Sequence, residues 1–285
     1  MGINGLIMEG GGMRGIYTAG ILDYFLEKNL EFDYTIGVSA GAVNAASYLS
    51  KQKERTKNVI VNYTSDPRYM GIKNLLREGN FFSTDFAYDE LPNKLIPFDY
   101  STFFNSKTIF KIGVTNCCSG EIEYFEKNNF TKDTIMDVVR ASGSLPFLSK
   151  MVKINGSLYL DGGISDSIPI RQAINDGCKN IVLILTRAKG YRKKSSKMSF
   201  LADIFYKKNP KLAETLKQRY LVYNSTLDLI ENLEEKKEIF VIRPSLSLKI
   251  SRLEKDKKKL NELYQLGLKD CEVIFEDLKQ FLNKK

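Results

Sequence analysis

Short apolar runs alternate with segments of helical periodicity along much of this chain. The runs at residues 5–8, 34–38 and 180–186 have the length of buried strands, and helical patterns at 15–28 and 40–49 follow the first two. Strands separated by helices favour a largely parallel sheet, because each helix carries the chain back to begin the next strand in the same direction. The sequence therefore predicts an α/β fold.

The composition of the chain changes near residue 187. Beyond this point Lys is frequent, and the apolar spacing suits amphipathic helices apart from an expected strand at residues 239–242. We predict two parts: an α/β domain over residues 1–186, and a basic, mostly helical region over residues 187–285 that packs on it. A membrane-facing helix is the alternative interpretation of the apolar stripe in the second part.

Positive charge is in excess and is unevenly distributed. The 285 residues include 43 Lys and Arg against 34 Asp and Glu, which gives a formal charge of +9. Two basic segments, residues 187–197 and 255–259, are interpreted either as solvated faces or as attraction to an anionic membrane. No nucleic-acid-binding motif accompanies them, so no nucleic-acid partner is expected. The sequence does not indicate an oligomeric state.

No signal for export or membrane insertion is apparent. The first residues lack a basic segment, and no run approaches the roughly 18 apolar residues of a membrane-spanning helix. We therefore expect a cytoplasmic protein, with peripheral membrane contact left open.

The chain contains no histidine. This absence excludes a Ser-His-Asp triad, a Cys-His pair, a zinc site with His ligands and a His general base. None of the four cysteines lies in a C-x-x-C pair, and neither a metal nor another cofactor is expected. Any hydrolytic chemistry must use a different base.

A glycine-rich loop joins the first predicted strand to the first predicted helix. Gly10-Gly11-Gly12-Met13-Arg14-Gly15 fits G-x-G-x-x-G, which can hold the pyrophosphate of a dinucleotide. That interpretation needs an acid at the end of the second strand, whereas Asp33 precedes this strand. Alternatively, amide groups of consecutive glycines converge on one oxygen atom and form an oxyanion hole. A tight turn without a ligand is the third possibility.

A second motif follows the second predicted strand. Gly37-Val38-Ser39-Ala40-Gly41 fits G-x-S-x-G between a strand and a helix, which is the context that a nucleophile elbow requires. Ser39 would project from the end of the strand, beside the positive N-terminal end of the following helix. A helix N-cap is the alternative role for Ser39.

Without histidine, a serine nucleophile needs a carboxylate or a lysine as its base. Asp161-Gly162-Gly163 follows the apolar and aromatic run at residues 158–160, although Asp-Gly after a strand is also a common turn. A carboxylate with a pKa of about 4 is a poor base for a hydroxyl, but burial in an apolar pocket raises the pKa. The flanking glycines would let Asp161 approach Ser39 closely.

Together these motifs resemble the patatin-like phospholipase family, whose members combine a Gly-rich loop, a G-x-S-x-G serine and a D-G-G or D-G-A aspartate. Residues 140–147, 115–121 and 161–169 are similar to further family patterns, R-A-S-x-x-x-P, T-x…(S/T)-G-E and D-G-G-x-x-(D/N)-x-x-P. The resemblance covers residues 3–186, and residues 187–285 loosely resemble the helical extensions of bacterial members. It implies a three-layer α/β/α fold with a mostly parallel sheet and a C-terminal helical extension.

The resemblance also implies roles for the matching residues. Ser39 is the implied nucleophile and Asp161 the implied base of a Ser-Asp dyad. The implied oxyanion hole uses the amides of Gly11 and Gly12, with Gly10 or Ala40 as further donors. Arg14 either pins the loop or touches an anionic headgroup, and pinning is favoured. The residues with supporting roles around the dyad are Arg14, Gly37, Gly41, Ser142, Pro146, Gly162 and Gly163.

The resulting hypothesis is a serine acyl hydrolase of the phospholipase A or lipid esterase type, acting on lipid or phospholipid esters through an acyl-serine. An acyltransferase with the same dyad is one alternative, because an alcohol can replace water as the acceptor. A lipid-surface binding module with an idle dyad is the other.

Overall fold

The computed structural model describes residues 2–196 and 198–283. Within them, eight strands form one sheet in the order β5-β6-β3-β2-β1-β7-β8, with β4 paired to β3. The five strands from β3 to β8 in this order are mutually parallel, and the pairs that involve β4, β5 or β6 are antiparallel. The strands are β1 (Ile3–Met8), β2 (Tyr34–Val38), β3 (Ile109–Asn116), β4 (Ile122–Glu126), β5 (Val152–Ile154), β6 (Ser157–Asp161), β7 (Cys178–Ile184) and β8 (Ile239–Ile242).

Helices follow most of the strands and fill the long connection between β2 and β3, which also holds a π-helical segment, Phe86–Leu95. The α-helices are α1 (Ile16–Glu27), α2 (Ala40–Leu49), α3 (Arg55–Tyr63), α4 (Ile72–Glu78), α5 (Tyr100–Asn105), α6 (Ile135–Gly143), α7 (Ile170–Asn175), α8 (Ala202–Phe205), α9 (Pro210–Glu235) and α10 (Lys257–Leu282).

The central strands are buried on both faces. In β1, Leu6 and Met8 pack with α1, α2 and α10 in one core, whereas Ile7 packs with α7 and α9 in another. Alternate residues of a strand point to opposite faces, so an unbroken apolar run is what a sheet covered by two helical layers requires. The predicted three-layer α/β/α architecture is confirmed.

The chain beyond residue 187 contributes to all three layers. β8 pairs in parallel with β7 and extends the sheet at the predicted position. α9 covers one face, and α10 packs against α1 on the other, with Leu260, Leu263 and Leu278 buried. The apolar stripe of α10 is therefore mainly a packing surface, and the boundary at residue 186 stays a prediction. No helix in the described ranges has the length and apolarity needed to cross a bilayer.

The edge of β3 positions the candidate site. β4 pairs with Lys111–Thr115 along one edge of β3, so β2 and β6 share the other edge. β2 ends with Val38 opposite Gly113, and β6, which runs in the opposite direction, ends with Asp161 opposite Val114. The ends of β2 and β6 therefore face each other along this edge of β3. Ser39 is the residue that follows β2.

Candidate active site

The hydroxyl of Ser39 donates a hydrogen bond to Asp161 Oδ2 at 2.8 Å. Both residues are buried, with 7% of Ser39 and 2% of Asp161 exposed. Ser39 lies between β2 and α2 with φ 55° and ψ −123°, outside the backbone regions that a serine ordinarily adopts. The strained turn projects its hydroxyl away from the sheet and toward Asp161, the geometry of a nucleophile elbow.

Close backbone packing explains the glycines on both sides of Ser39. A Cβ atom at Gly37 would lie 2.6 Å from the carbonyl carbon of Gly41, and one at Gly41 would lie 2.5 Å from the carbonyl oxygen of Met8. Neither position can hold a side chain without a shift of backbone. The sharp turn around Ser39 therefore needs both glycines.

Both carboxylate oxygens of Asp161 accept a hydrogen bond. Its Oδ1 accepts the backbone amide of Gly163 at 2.7 Å, and Gly162 begins the short 3₁₀ turn that presents this amide. Burial raises the pKa of Asp161 above its usual value, while Arg219, the Ser39 hydroxyl and the Gly163 amide oppose the rise. A raised pKa makes the carboxylate a better base for a hydroxyl.

Ser142, near the end of α6, links the turn after β2 to β3. Its Oγ accepts the Ser39 amide at 2.8 Å and donates to the Gly113 carbonyl at 2.7 Å. The Asp161 amide donates to the carbonyl of Ser144 at 2.9 Å, so the same stretch of chain also supports Asp161. Pro146 follows in the segment whose Leu145 lines the cavity beside Ser39.

The glycine-rich loop lines a small cavity with Ser39 and Asp161. The amide of Gly10 donates to the carbonyl of Ser167 at 3.0 Å, and this amide is therefore already engaged. Gly11 precedes a 3₁₀ turn and Gly12 opens it, and Ala40 opens α2, where the first amides of a helix have no intrahelical acceptor. Those three amides are the available donors.

Arg14 is buried, with 7% of its surface exposed. In the described part of the chain its side chain makes no hydrogen bond or ion pair, and its Nε is buried without a partner. Burial, Arg187 and Arg252 lower the pKa of Arg14 to about 10. Among the described residues no hydrogen bond of the guanidinium holds the loop, and the pinning role stays a prediction. The loop is instead held by the Met13 amide, which donates to the Arg252 carbonyl at 3.1 Å.

An apolar cavity of about 150 Å³ opens at Ser39. It lies between α2, α3, the π-helical segment and α6, and aliphatic and aromatic side chains line it. The apolar lining includes Val43, Ile60, Phe82, Leu91, Phe98 and Val139. Much of this lining comes from residues 43–98 between β2 and β3, which follow the G-x-S-x-G motif and carry no recognisable motif themselves.

Sequence reasoning missed two arginines that line the small cavity with the Ser39–Asp161 pair. Arg219 comes from α9, and Arg252 comes from the loop before α10. A Cβ atom at Gly163 would lie 3.2 Å from Arg219 Nη2. Neither arginine belongs to a motif, so only the docking of the C-terminal region onto the sheet reveals them. The part of the chain described here holds no cluster of three metal-ligating side chains.

The sequence profile of the patatin-like phospholipases matches residues 6–174, and the chain belongs to this family. The profile of a domain of unknown function, DUF6363, matches residues 209–283. The family assignment excludes the dinucleotide interpretation of the glycine loop.

Three relatives illustrate the likeness. The uncharacterised protein YjjU of Escherichia coli K12 is 35% identical over 188 residues, which cover 64% of this chain and 51% of that protein. The probable lipid hydrolase 463L of invertebrate iridescent virus 6 is 25% identical over 189 residues, or 59% of this chain and 62% of that protein. The lysophospholipase NTE1 of Candida albicans is 23% identical over 295 residues, or 96% of this chain and 20% of that protein.

The matched region thus spans about half of YjjU and a fifth of NTE1. Among solved structures, VipD from Legionella pneumophila aligns with a TM-score of 0.46 and 13% identity, covering 97% of this chain and 67% of that one.

Proposed function

We propose that the protein is a serine acyl hydrolase that cleaves a fatty acyl ester of a lipid, with Ser39 as nucleophile and Asp161 as base. The observation that carries the proposal is the 2.8 Å hydrogen bond from the Ser39 hydroxyl to Asp161 at the mouth of an apolar cavity. Membership of the patatin-like phospholipase family and relatives named as a lysophospholipase and a probable lipid hydrolase support it.

In the first step, Asp161 Oδ2 takes the hydroxyl proton while Ser39 Oγ bonds to the ester carbonyl carbon. The electron pair of the carbonyl bond moves to its oxygen. The amides of Gly11, Gly12 and Ala40 would donate to this oxyanion, and one such donor is worth about 2.7–4 kcal/mol in comparable sites. The Gly10 amide is omitted because it already donates to Ser167.

In the second step, the tetrahedral intermediate expels the alcohol, which takes the proton from Asp161, and an acyl-serine remains. Asp161 then removes a proton from water, whose oxygen attacks the acyl carbon. The departing Ser39 Oγ recovers the proton and the fatty acid is released. One carboxylate therefore acts as base in each attack and as acid in each expulsion.

The apolar cavity supports a fatty acyl chain as the group bound beside Ser39. An alkyl chain gains about 0.8 kcal/mol for each methylene removed from water. Binding the chain in this cavity would place its ester carbonyl next to Ser39 Oγ, where α2 and the glycine loop begin.

Contact with a membrane surface is part of the proposal, because the substrate resides there. Phe200, Ile204 and Phe205 form an exposed apolar patch in and just before α8, at 64%, 72% and 62% exposure. The ring of Phe205 contacts that of Phe147, two residues beyond the cavity-lining Leu145. The patch would bring the cavity to the lipid.

The basic segments add charge to this contact unevenly. Lys255 and Lys257–Lys259 are exposed, whereas Arg192 is ion-paired with Asp228 and Glu231. Lys197, part of the predicted segment 187–197, lies outside the described residues. Segment 255–259 is therefore the better candidate for attraction to anionic lipid.

The proposal is tested by labelling with a fluorophosphonate probe and by hydrolysis of a short-chain ester. The wild-type protein should react with the probe and hydrolyse the ester. Ser39→Ala should do neither, and Asp161→Asn should lose most of the kcat for the ester. Ser50→Ala is the matched control, since within the described ranges the Ser50 hydroxyl bonds only to Ser47 and Gln52. Wild-type turnover by Asp161→Asn would refute the dyad, and an unlabelled but folded wild type, with lipid vesicles added, would favour a binding module. Adding an acceptor alcohol separates hydrolysis from acyl transfer by its product.

A further inference from the structure

Five basic side chains form a group of which two line the small cavity with the Ser39–Asp161 pair, and the proton transfers of the proposed hydrolysis do not involve them. Arg219 and Arg252 line the small cavity with the pair, and the other three lie within electrostatic range of these arginines or of each other. We call this set the cationic cluster. Its members are Arg14 from the glycine loop, Arg187 and Lys193 from the segment after β7, Arg219 from α9 and Arg252 from the loop before α10.

The carboxylates near the cationic cluster are already engaged. Glu9 accepts the Tyr223 hydroxyl at 2.6 Å and the amide and hydroxyl of Thr186 at 2.6 and 2.9 Å. Asp161 accepts the Ser39 hydroxyl and the Gly163 amide. Among the described residues, no cation of the cluster forms an ion pair, and three of them have a buried Nε without a hydrogen-bond partner: Arg14, Arg187 and Arg219.

Several other arginines of the chain are ion-paired, although Arg55 also has a buried Nε without a hydrogen-bond partner. Arg140 bonds to Asp137 at 2.7 Å, and Arg192 bonds to Asp228 and Glu231 at 2.8 Å. In the cluster, burial together with Arg219 and Arg252 lowers the pKa of Lys193 to about 6, so this amine is mostly uncharged at neutral pH and the arginines carry the positive charge. Unpaired cations gathered in a partly buried place destabilise the folded protein. An anion that binds among them removes that repulsion.

We propose that the cationic cluster is a subsite for the phosphate of the lipid headgroup, and that it selects phospholipids whose headgroup carries no cationic substituent. Guanidinium groups bind phosphate oxygens through paired N–H donors, and Arg219 and Arg252 reach the site from two different elements.

The two cavities at Ser39 support this assignment. The apolar cavity and the small cavity that Arg219 lines both include Ser39, and Arg252 borders both. In a glycerophospholipid the phosphate is a few bonds from the acyl ester, so an acyl chain in the apolar cavity leaves the phosphate near the arginines. A choline or ethanolamine ammonium would then lie among like charges, whereas glycerol or hydrogen in its place meets no repulsion.

The test compares the kcat/KM of three dihexanoyl substrates in monomeric form: phosphatidylglycerol, phosphatidylcholine and neutral diacylglycerol. Wild-type protein should prefer phosphatidylglycerol over the other two by about tenfold or more, which is the weight of one charge-assisted hydrogen bond. Arg252→Gln should abolish most of this preference, and Arg252→Lys should retain part of it. The Arg252 carbonyl that holds Met13 stays in both variants.

Arg171→Gln is the matched control, since Arg171 is exposed on α7 and its loss also removes one positive charge. It should keep the wild-type preference. A wild type without preference, or an Arg252→Gln variant that loses activity equally on all three substrates, would overturn the headgroup subsite.

Because the subsite rests on the proposed function, binding is also measured without turnover. Ser39→Ala should bind dihexanoyl phosphatidylglycerol more tightly than the choline lipid in calorimetry, and Arg252→Gln in that background should not discriminate. This result would stand even if Ser39 proved not to be a nucleophile. Inorganic phosphate binding as tightly as the glycerol lipid would assign the cluster to free phosphate and overturn the lipid assignment.

Discussion

Two opposing influences act on the ionisation of Asp161. Burial raises the pKa of this carboxyl, and the cations Arg219 and Arg252 oppose the rise. Tyr88 also faces it, but burial raises the pKa of this phenol to about 12, so it stays uncharged at neutral pH. The balance leaves Asp161 a stronger base than an exposed aspartate while neighbouring cations favour its ionised form.

A shift of the pH profile should follow from the removal of one of these cations. The proposed base must be ionised, so kcat/KM on a neutral ester should rise with pH through the raised pKa of Asp161. In Arg219→Gln the carboxylate loses a stabilising charge, its pKa rises further, and the acidic limb should move to higher pH. Profiles of both proteins and of Arg171→Gln check this. An acidic limb that stays in place would show that Arg219 does not act on the base.

Ser142 should matter although it touches no substrate. Ser142→Ala leaves the Ser39 amide and the Gly113 carbonyl without their partner, a cost of about 1–3 kcal/mol for each buried group. The turn that aims Ser39 would relax, and kcat should fall by about ten- to a hundredfold. Ser144→Ala is the control, because among residues 2–196 and 198–283 that hydroxyl bonds only to the Arg140 carbonyl one turn back. Equal losses in the two variants would rule out a specific positioning role.

The residues in local motifs could be predicted, and those that reach the site through tertiary contacts could not. Ser39 follows a strand between two nearby glycines, and Asp161 ends a strand and precedes two glycines, a pattern with a direct steric cause. Arg219 and Arg252 lie in ordinary helical and loop sequence. Their approach to the site depends on how α9 and α10 dock, which no short spacing encodes.

At the scale of elements, α1 and α10 approach closely at a pair of glycines. A Cβ atom at Gly20 would lie 2.3 Å from the Tyr264 carbonyl oxygen, and one at Gly267 would lie 2.3 Å from that of Tyr17. The two backbones are therefore in direct contact where the helices cross. This contact fixes the C-terminal helix against the layer that carries the glycine loop.

Gly267→Ala should separate these helices. Overpacking against backbone costs about 1–3 kcal/mol, more than the roughly 1 kcal/mol that Ala gains over Gly in a helix. The midpoint of denaturant unfolding, followed by circular dichroism, should fall. Gly71→Ala is the control, since a Cβ atom there meets open space. A Gly267→Ala protein as stable as wild type would mean that the helices can slide apart freely.

Most elements of the sheet were predictable because their strands are short, apolar and bounded by turns. Helix starts are less predictable. The apolar spacing of residues 131–141 predicts a helix from Thr131, but the helix begins at Ile135, since Thr131 and Thr134 first close a turn by bonding to each other. The sequence did not predict that β6 pairs antiparallel with β3, on the same edge of β3 as β2. Nothing in either strand alone specifies that both pair with the same edge of β3.

At the scale of the whole molecule, the exposed patch before and within α8 should determine membrane binding. Ile204→Ser should weaken binding to vesicles by about tenfold, because burial of an isoleucine contributes about 1.5–3 kcal/mol. Val273→Ser is the control, since Val273 is similarly exposed, at 75%, on α10. Vesicle cosedimentation measures both. An equal effect of the two changes would place the contact elsewhere.

Anionic lipid should strengthen the same contact. Lys258→Glu with Lys259→Glu should reduce binding to vesicles rich in phosphatidylglycerol, and the wild-type affinity should fall as salt rises. If the affinity for vesicles changed with neither lipid charge nor salt, electrostatic attraction would not contribute to this contact.

The hydrogen bond from the Met13 amide to the Arg252 carbonyl also affects when the candidate site can form during synthesis of the chain. Domains fold as units, N-terminal parts first, as the chain leaves the ribosome. The Ser39 and Asp161 segments emerge before residue 252, so the glycine loop gains its contact with the Arg252 carbonyl only after residue 252 has left the ribosome. A nascent chain that has released Ser39 and Asp161 but not residue 252 therefore lacks the complete candidate site.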